Sequence, residues 1–379
     1  MATTFLEPGG DADFSVNTTN GFWNVSANSP VVTTDFVHGG HQKSININSV
    51  AGSYVRTLAA TLSDAGSRIS LYLYIVTLPS STHSIIALKS SGGGGAGLVT
   101  IRITNAGVLQ LWNAETAQIG TDGNTLNTGQ WYRISLAYTI TSTSVNRFEI
   151  FLDGVSMISI TNGTLGAIAT SLLQISGLNG SYRISDIYID NSSSLTDTGN
   201  IWVTAKRPVS NGTTNGFTTQ IGSGGSGYGS GHSPQVNERA LSTTNGWSMV
   251  GAGSAITEEY NIESKSTGDI DISTATIVDW LAWWSMSSLA GETLTTIFNG
   301  STSTQAITST ATLYTKIVGS TTYPAGSGTD VGITTTTALT TVSLYECGVI
   351  VAYIPASGNT PATYTNPNLR ALNMMGIGK

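Results

Sequence analysis

His38 and His41 enclose two glycines, and this His-Gly-Gly-His string is the most metal-like spacing in the chain. Imidazole is the commonest side-chain metal ligand, and two of them three residues apart could face one cation. The local sequence offers no third ligand and the glycines suit a loop, so the expectation is a polar turn with no metal. Asp186, Tyr188 and Asp190 alternate along an apolar stretch, which would put two carboxylates on one face of a strand. Glycoside cleavage uses two carboxyl groups about 5 to 10 Å apart. A further acid at the same spacing is absent, and a solvated strand face is expected. Glu258, Glu259 and Glu263 form another acidic group, also expected at a solvated surface. His83 and His232 stand isolated. Gly222 to Gly231 is glycine-rich but lacks the Lys-Ser/Thr ending of a phosphate-binding loop. No Gly-x-Ser-x-Gly elbow or Ser-His-Asp order stands out. Trp112 and Trp131 could stack on sugar rings, although core packing is the expectation for each. The sequence thus assigns no catalytic, cofactor-binding or metal-binding residue, and the chain is expected not to be an enzyme.

The elements around these residues read as strands. Ile69, Leu71, Leu73 and Ile75 alternate with Ser70, Tyr72, Tyr74 and Val76. Tyr132 to Ile140 and Phe148 to Leu152 alternate in the same way, and each run presents one face to a core. Further strands are expected at 83–89, 98–103, 107–112, 155–160, 172–176 and 182–190. Asp153-Gly154, Asn162-Gly163 and Asn179-Gly180 supply turns that tolerate positive φ. A change of character at 191–216 places a boundary near 195–205. Beyond it, strands are expected at 255–263, 268–273, 275–287, 292–298, 304–318 and 340–354. The stretch 280–286 also fits helical spacing, but its β-branched flanks and poor capping favour a strand. Cys347 lies in the apolar run 342–354 and is expected to be a buried, inert thiol. The expected architecture is all-β: two β-sandwich, jelly-roll-like domains at 1–195 and 196–355. A tail at 356–379 follows, whose apolar end suggests docking on a neighbour.

Composition narrows the function classes. Only 10% of the 379 residues are charged, against roughly a quarter in ordinary soluble domains. Ser, Thr, Asn and Gly fill the difference, giving a polar but weakly charged surface. The net charge of −7 and the lack of a basic run argue against nucleic acid, whose phosphates are gripped by clustered Lys and Arg. No polybasic segment suggests an anionic membrane partner, and no run approaches the roughly 18 apolar residues of a span. With one cysteine, no intrachain disulfide can form. Residues 1–10 lack the basic start and apolar stretch of a signal peptide, so synthesis in the cytoplasm is expected.

Gln130 to Ile160 carries Trp131-Tyr132-Arg133-Ile134-Ser135-Leu136 and then Phe148-Glu149-Ile150-Phe151-Leu152-Asp153-Gly154. This resembles the paired strands of laminin-G-like, or concanavalin A-like, domains, and the likeness covers about 1–195. Thr204-Ala205-Lys206-Arg207-Pro208, Gln220 to His232, Gln235 to Arg239 and Glu258-Glu259-Tyr260 resemble a segment joined to that domain in structural proteins of tailed phages. The resemblance implies a virion surface protein made in the host cytoplasm: a capsid decoration, head fibre or tail component. Its expected partners are other virion proteins and further copies of itself, as a homo-oligomer. It implies no cofactor. The alternative is an adhesin that recognises host surface glycans.

Overall fold

The computed structural model describes residues 2–7, 23, 25–27, 30–41, 43–47, 49, 53–57, 61–90, 98–113, 116–165, 169–177, 179–222, 232, 236, 245–249, 255–268, 270–289, 293–323, 330–335 and 341–356. Among these the chain is all-β. The expected docking tail and most of the glycine-rich stretch lie outside the described residues. In chain order the strands are β1 (Ala2–Glu7), β2 (Val25–Ala27), β3 (Val31–Thr33), β4 (Ser44–Ile47), β5 (Tyr54–Arg56), β6 (Ser67–Thr77), β7 (His83–Lys89), β8 (Val99–Ile103), β9 (Leu109–Asn113), β10 (Ala117–Ile119), β11 (Trp131–Ile140), β12 (Asn146–Leu152), β13 (Val155–Thr161), β14 (Leu172–Ser176) and β15 (Ser181–Asn191). They continue as β16 (Trp202–Lys206), β17 (Pro208–Asn215), β18 (Thr219–Ile221), β19 (Gly246–Met249), β20 (Thr257–Ile262), β21 (Thr276–Ser288), β22 (Thr293–Phe298), β23 (Ser301–Ala306), β24 (Thr312–Ile317), β25 (Asp330–Thr335) and β26 (Val342–Ile354). Contacts divide them into two units. Val25–Asn200 forms the first, while β1 and Trp23, expected in the 1–195 domain, group with Ile201–Ile354 in the second.

The first unit is a sandwich of two antiparallel sheets, ordered β13-β12-β11-β6-β15-β4-β3 and β10-β9-β8-β7-β14-β5-β2. The alternating residues build its core: Ile69, Leu71, Leu73 and Ile75 of β6, Ile134 and Leu136 of β11, and Ile101 and Leu111 of the second sheet are buried. Each such side chain contributes roughly 1.5–3 kcal/mol of transfer free energy. Asp153 and Gly154 both have positive φ and close the two-residue turn between β12 and β13, where Leu152 faces Val155. Asn and Asp tolerate this conformation better than other residues with a Cβ, and glycine has none to clash.

The second unit is also a sandwich, with sheets ordered β18-β19-β26-β21-β24, where β16 also pairs β26, and β17-β20-β25-β22-β23. The ambiguous stretch 280–286 is strand. β21 pairs β26 on one side and β24 on the other, and Trp280, Trp283 and Trp284 are all buried. A strand covered on both faces needs no polar alternation, which is why its apolar spacing also matched a helix. Two expectations fail here. Residues 304–318 form two strands, because β23 pairs β22 in one sheet and β24 pairs β21 in the other. The described residues of 268–273 are not strand, and the buried Lys206 ammonium takes the Thr267 carbonyl and, at 2.7 Å, the Ile270 carbonyl.

Candidate metal centre

The outer face of the β11-β6-β15 sheet carries Arg133, Tyr72 and Ser185 in one cross-strand row and Trp131, Tyr74 and Arg183 in the neighbouring row around it. A strand bulge adds a charge to this face. On β15, Ser185 faces Tyr72 and Tyr188 faces Ser70, so Asp186 and Ile187 together oppose the single residue Leu71. Asp186 takes φ +50°, an uncommon conformation for a residue with a Cβ. The extra residue lets Ile187 stay in the core while the Asp186 carboxylate joins the outer face, the re-aiming for which bulges recur beside functional sites.

Above this carboxylate sits the His-Gly-Gly-His turn. The His41 amide donates to the His38 carbonyl at 3.0 Å, and Gly39 has φ +54°. The turn brings both rings down on Asp186. His38 Nδ1 lies 2.7 Å from one carboxylate oxygen and His41 Nε2 lies 2.8 Å from the other. The His38 ring stacks on Tyr72 with centroids 3.7 Å apart, and Trp131 meets its edge at 5.3 Å. Trp131 Nε1 donates to the Val37 carbonyl, and Phe36 stacks on Tyr74, so aromatic contacts pin the whole loop. All three polar residues are buried, His38 and Asp186 at 0% exposure and His41 at 4%.

Burial acts to raise the Asp186 carboxyl pKa. The His41 charge and the hydrogen bonds from both imidazoles outweigh it and hold the carboxyl below the usual carboxylate range. Burial pushes His38 down, and the Asp186 hydrogen bond and charge only partly offset it. A carboxylate flanked by two imidazoles is a donor set for a divalent transition metal, whose ligands must be deprotonated.

The structure buries His38 and His41 against Asp186, supplying the third polar group that the local sequence lacked, and it corrects the expectation of a solvated face at Asp186 and Asp190. Asp186, Tyr188 and Asp190 are all buried on that face, beneath the His38 loop and residues 192–200. Asp190 holds the Arg68 guanidinium through both oxygens, at 3.1 and 2.7 Å. Arg133 binds Asp197 through two bonds of 2.6 and 2.7 Å, Ser135 meets Thr198, and Tyr72 donates to Asn200. The link from His38 and His41 to Asp186 was missed because 145 or more positions separate them. One signal existed: Ile184, Ile187 and Ile189 break strict alternation at Ser185-Asp186, the mark of a bulge.

The second unit corrects two more expectations. Glu258 and Glu263 are buried, at 0% and 1% exposure, and Glu259 is half-buried. His232 is not isolated: its Nδ1 lies 2.7 Å from Glu258, and its ring stacks on Trp247 with centroids 3.6 Å apart. Glu258 also accepts from the Phe217 amide at 2.9 Å and from Asn215 Nδ2 at 3.4 Å.

No family model matches the chain, and no curated protein matches it. Solved structures do. A glucuronan lyase from Trichoderma reesei is 14% identical with a TM-score of 0.37, over 52% of this chain and 98% of that one. Domain 4 of an extracellular arabinanase from Geobacillus stearothermophilus is 16% identical with a TM-score of 0.35, over 50% of this chain and 93% of that one. A Trypanosoma rangeli sialidase is 14% identical with a TM-score of 0.35, and the match spans 45% of this chain and 27% of the sialidase. The expectation that the chain is not an enzyme is withdrawn: the neighbours are named as a lyase, a domain of an arabinanase and a sialidase. At such scores the likeness transfers no activity to this chain.

Proposed function

We propose that the chain is a structural protein of the surface of a tailed-phage particle, a capsid decoration, head fibre or tail component made in the host cytoplasm. It works by packing against other virion proteins and further copies of itself. The observation that carries this reading is where the residues of the phage-like segment lie. Lys206 is buried and caps two carbonyls, and the amide of buried Arg207 bonds Glu263. Glu258 ties Phe217 and His232 into the same sandwich. Lys206, Arg207 and Glu258 are therefore spent on framework, as a building block requires, and only 10% of the chain is charged. Immunogold labelling of intact particles tests the reading: label at regular positions on the head or tail is expected, and unlabelled particles beside free protein in the lysate would refute it.

A second reading, host-glycan recognition, is favoured by a cleft of about 240 Å³ on the first unit. His83, Ser84, Arg102, Gln174 and Ser176 line it, and the Arg102 guanidinium lies 4.3 Å from the Trp112 ring centre. Convergent polar hydrogen-bonding groups suit the hydroxyls of a sugar. Glycan-array binding that Arg102→Ala abolishes would support it, and an array without signal would remove it.

A further inference from the structure

We propose that His38, His41 and Asp186 bind one divalent transition cation of the zinc type, and that this cation clips the 34–41 loop to β15. The donor set decides the class. Calcium and magnesium take oxygen ligands, whereas two imidazoles and a carboxylate suit zinc, cobalt or iron.

The geometry is close to what such an ion needs. The three ligand atoms lie within 4.8 Å of one another. Metal–ligand bonds of roughly 2.0–2.1 Å set tetrahedral ligand atoms about 3.3 Å apart. The two nitrogens sit on different carboxylate oxygens, at 2.7 and 2.8 Å, so a nitrogen and the oxygen that share the ion must separate by about half an ångström. An imidazole nitrogen that now donates to Asp186 must pass its proton to its other nitrogen or to solvent, so binding is coupled to proton movement.

Three features prepare the site. The bulge and positive φ at Asp186 aim its carboxylate out of the core. The turn hydrogen bond from His41 to His38 sets the two rings on one side of the loop. Tyr72 and Trp131 hold the His38 ring in place. The clip joins positions 145 and 148 residues apart, in a chain whose single cysteine allows no disulfide of its own. Closing so long a loop is where a cross-link can constrain the unfolded chain most.

The test uses the full chain, stripped with a chelator and then titrated with cobalt(II). One equivalent should bind, with the intense visible absorption of a low-coordinate site, and zinc should displace it. His41→Gln and Asp186→Asn should weaken binding on the order of a hundredfold or more. His232→Gln in the second unit should leave it unchanged. Because the site variants could misfold, the wild-type titration stands by itself. Absorption no different from hydrated cobalt, or full affinity retained in a folded Asp186→Asn chain, would overturn the proposal.

Discussion

Each unit buries one carboxylate against a histidine that is itself stacked on an aromatic ring, yet the two arrangements differ in what surrounds the acid. In the second unit Glu258 accepts from one imidazole, one backbone amide and one side-chain amide. That mixed set fixes a turn and a strand to each other and resembles the way ordinary buried acids are satisfied. In the first unit Asp186 sits between two imidazoles, reached by a bulge with strained backbone. The same chemistry thus serves as framework in one sandwich and as a metal-type donor set in the other. Burial alone does not separate them; the identity of the donors does.

The largest expected effect comes from removing the shared acid. Asp186→Ala leaves two buried imidazoles without their acceptor and should destabilise the first unit by about 3 kcal/mol or more. Hydrogen exchange should accelerate at β6 and β15 amides and hold steady at β21 and β26. Equal loss of protection in both units would break the comparison. Glu258→Gln keeps a carbonyl acceptor for the Phe217 amide, so its cost should be smaller, about 1–3 kcal/mol, confined to β17, β20 and their neighbours. A cost above that of Asp186→Ala would mean that the framework acid matters more.

The Arg133–Asp197 pair sharpens the contrast because Asp197 is partly exposed, with 20% of its side chain accessible. Screening limits Asp197→Asn to about 1 kcal/mol or less. Burial would raise the Asp197 carboxyl, but the Arg133 hydrogen bonds and charge lower it overall. A carboxyl held below its unfolded value adds stability that is complete above about pH 4 and fades as pH falls through the lower, folded pKa. Urea midpoints of wild type and Asp197→Asn should therefore converge below pH 4 and stay apart at neutral pH. The smallest effect is expected at Cys347, which is fully buried with its thiol pKa pushed up by burial. A thiol reagent should leave the native chain untouched and label its single cysteine after denaturation; native labelling would contradict this.

Much of the fold was legible because alternation is a direct image of a one-sided sheet. β6, β11 and β12 follow their apolar residues closely, and Asp153-Gly154 marks its hairpin. Legibility failed where pairing rather than periodicity decides. Nothing within 304–318 says that β23 and β24 belong to different sheets, and nothing within 268–273 says that the Ile270 carbonyl is taken by Lys206, 64 positions away. The site failed for a related reason. Asp186, Tyr188 and Asp190 do share a face, but a sequence read locally leaves that face open to water. The cover comes from the His38 loop and residues 192–200, brought in by tertiary contacts that no spacing rule encodes.

The most direct measurement is anomalous diffraction at the zinc absorption edge from crystals of the full chain grown with zinc. The account predicts one strong peak bounded by His38, His41 and Asp186 and none beside His232 and Glu258. Density at the second pair alone, or an empty first site with His38 and His41 still hydrogen-bonded to Asp186, would contradict it.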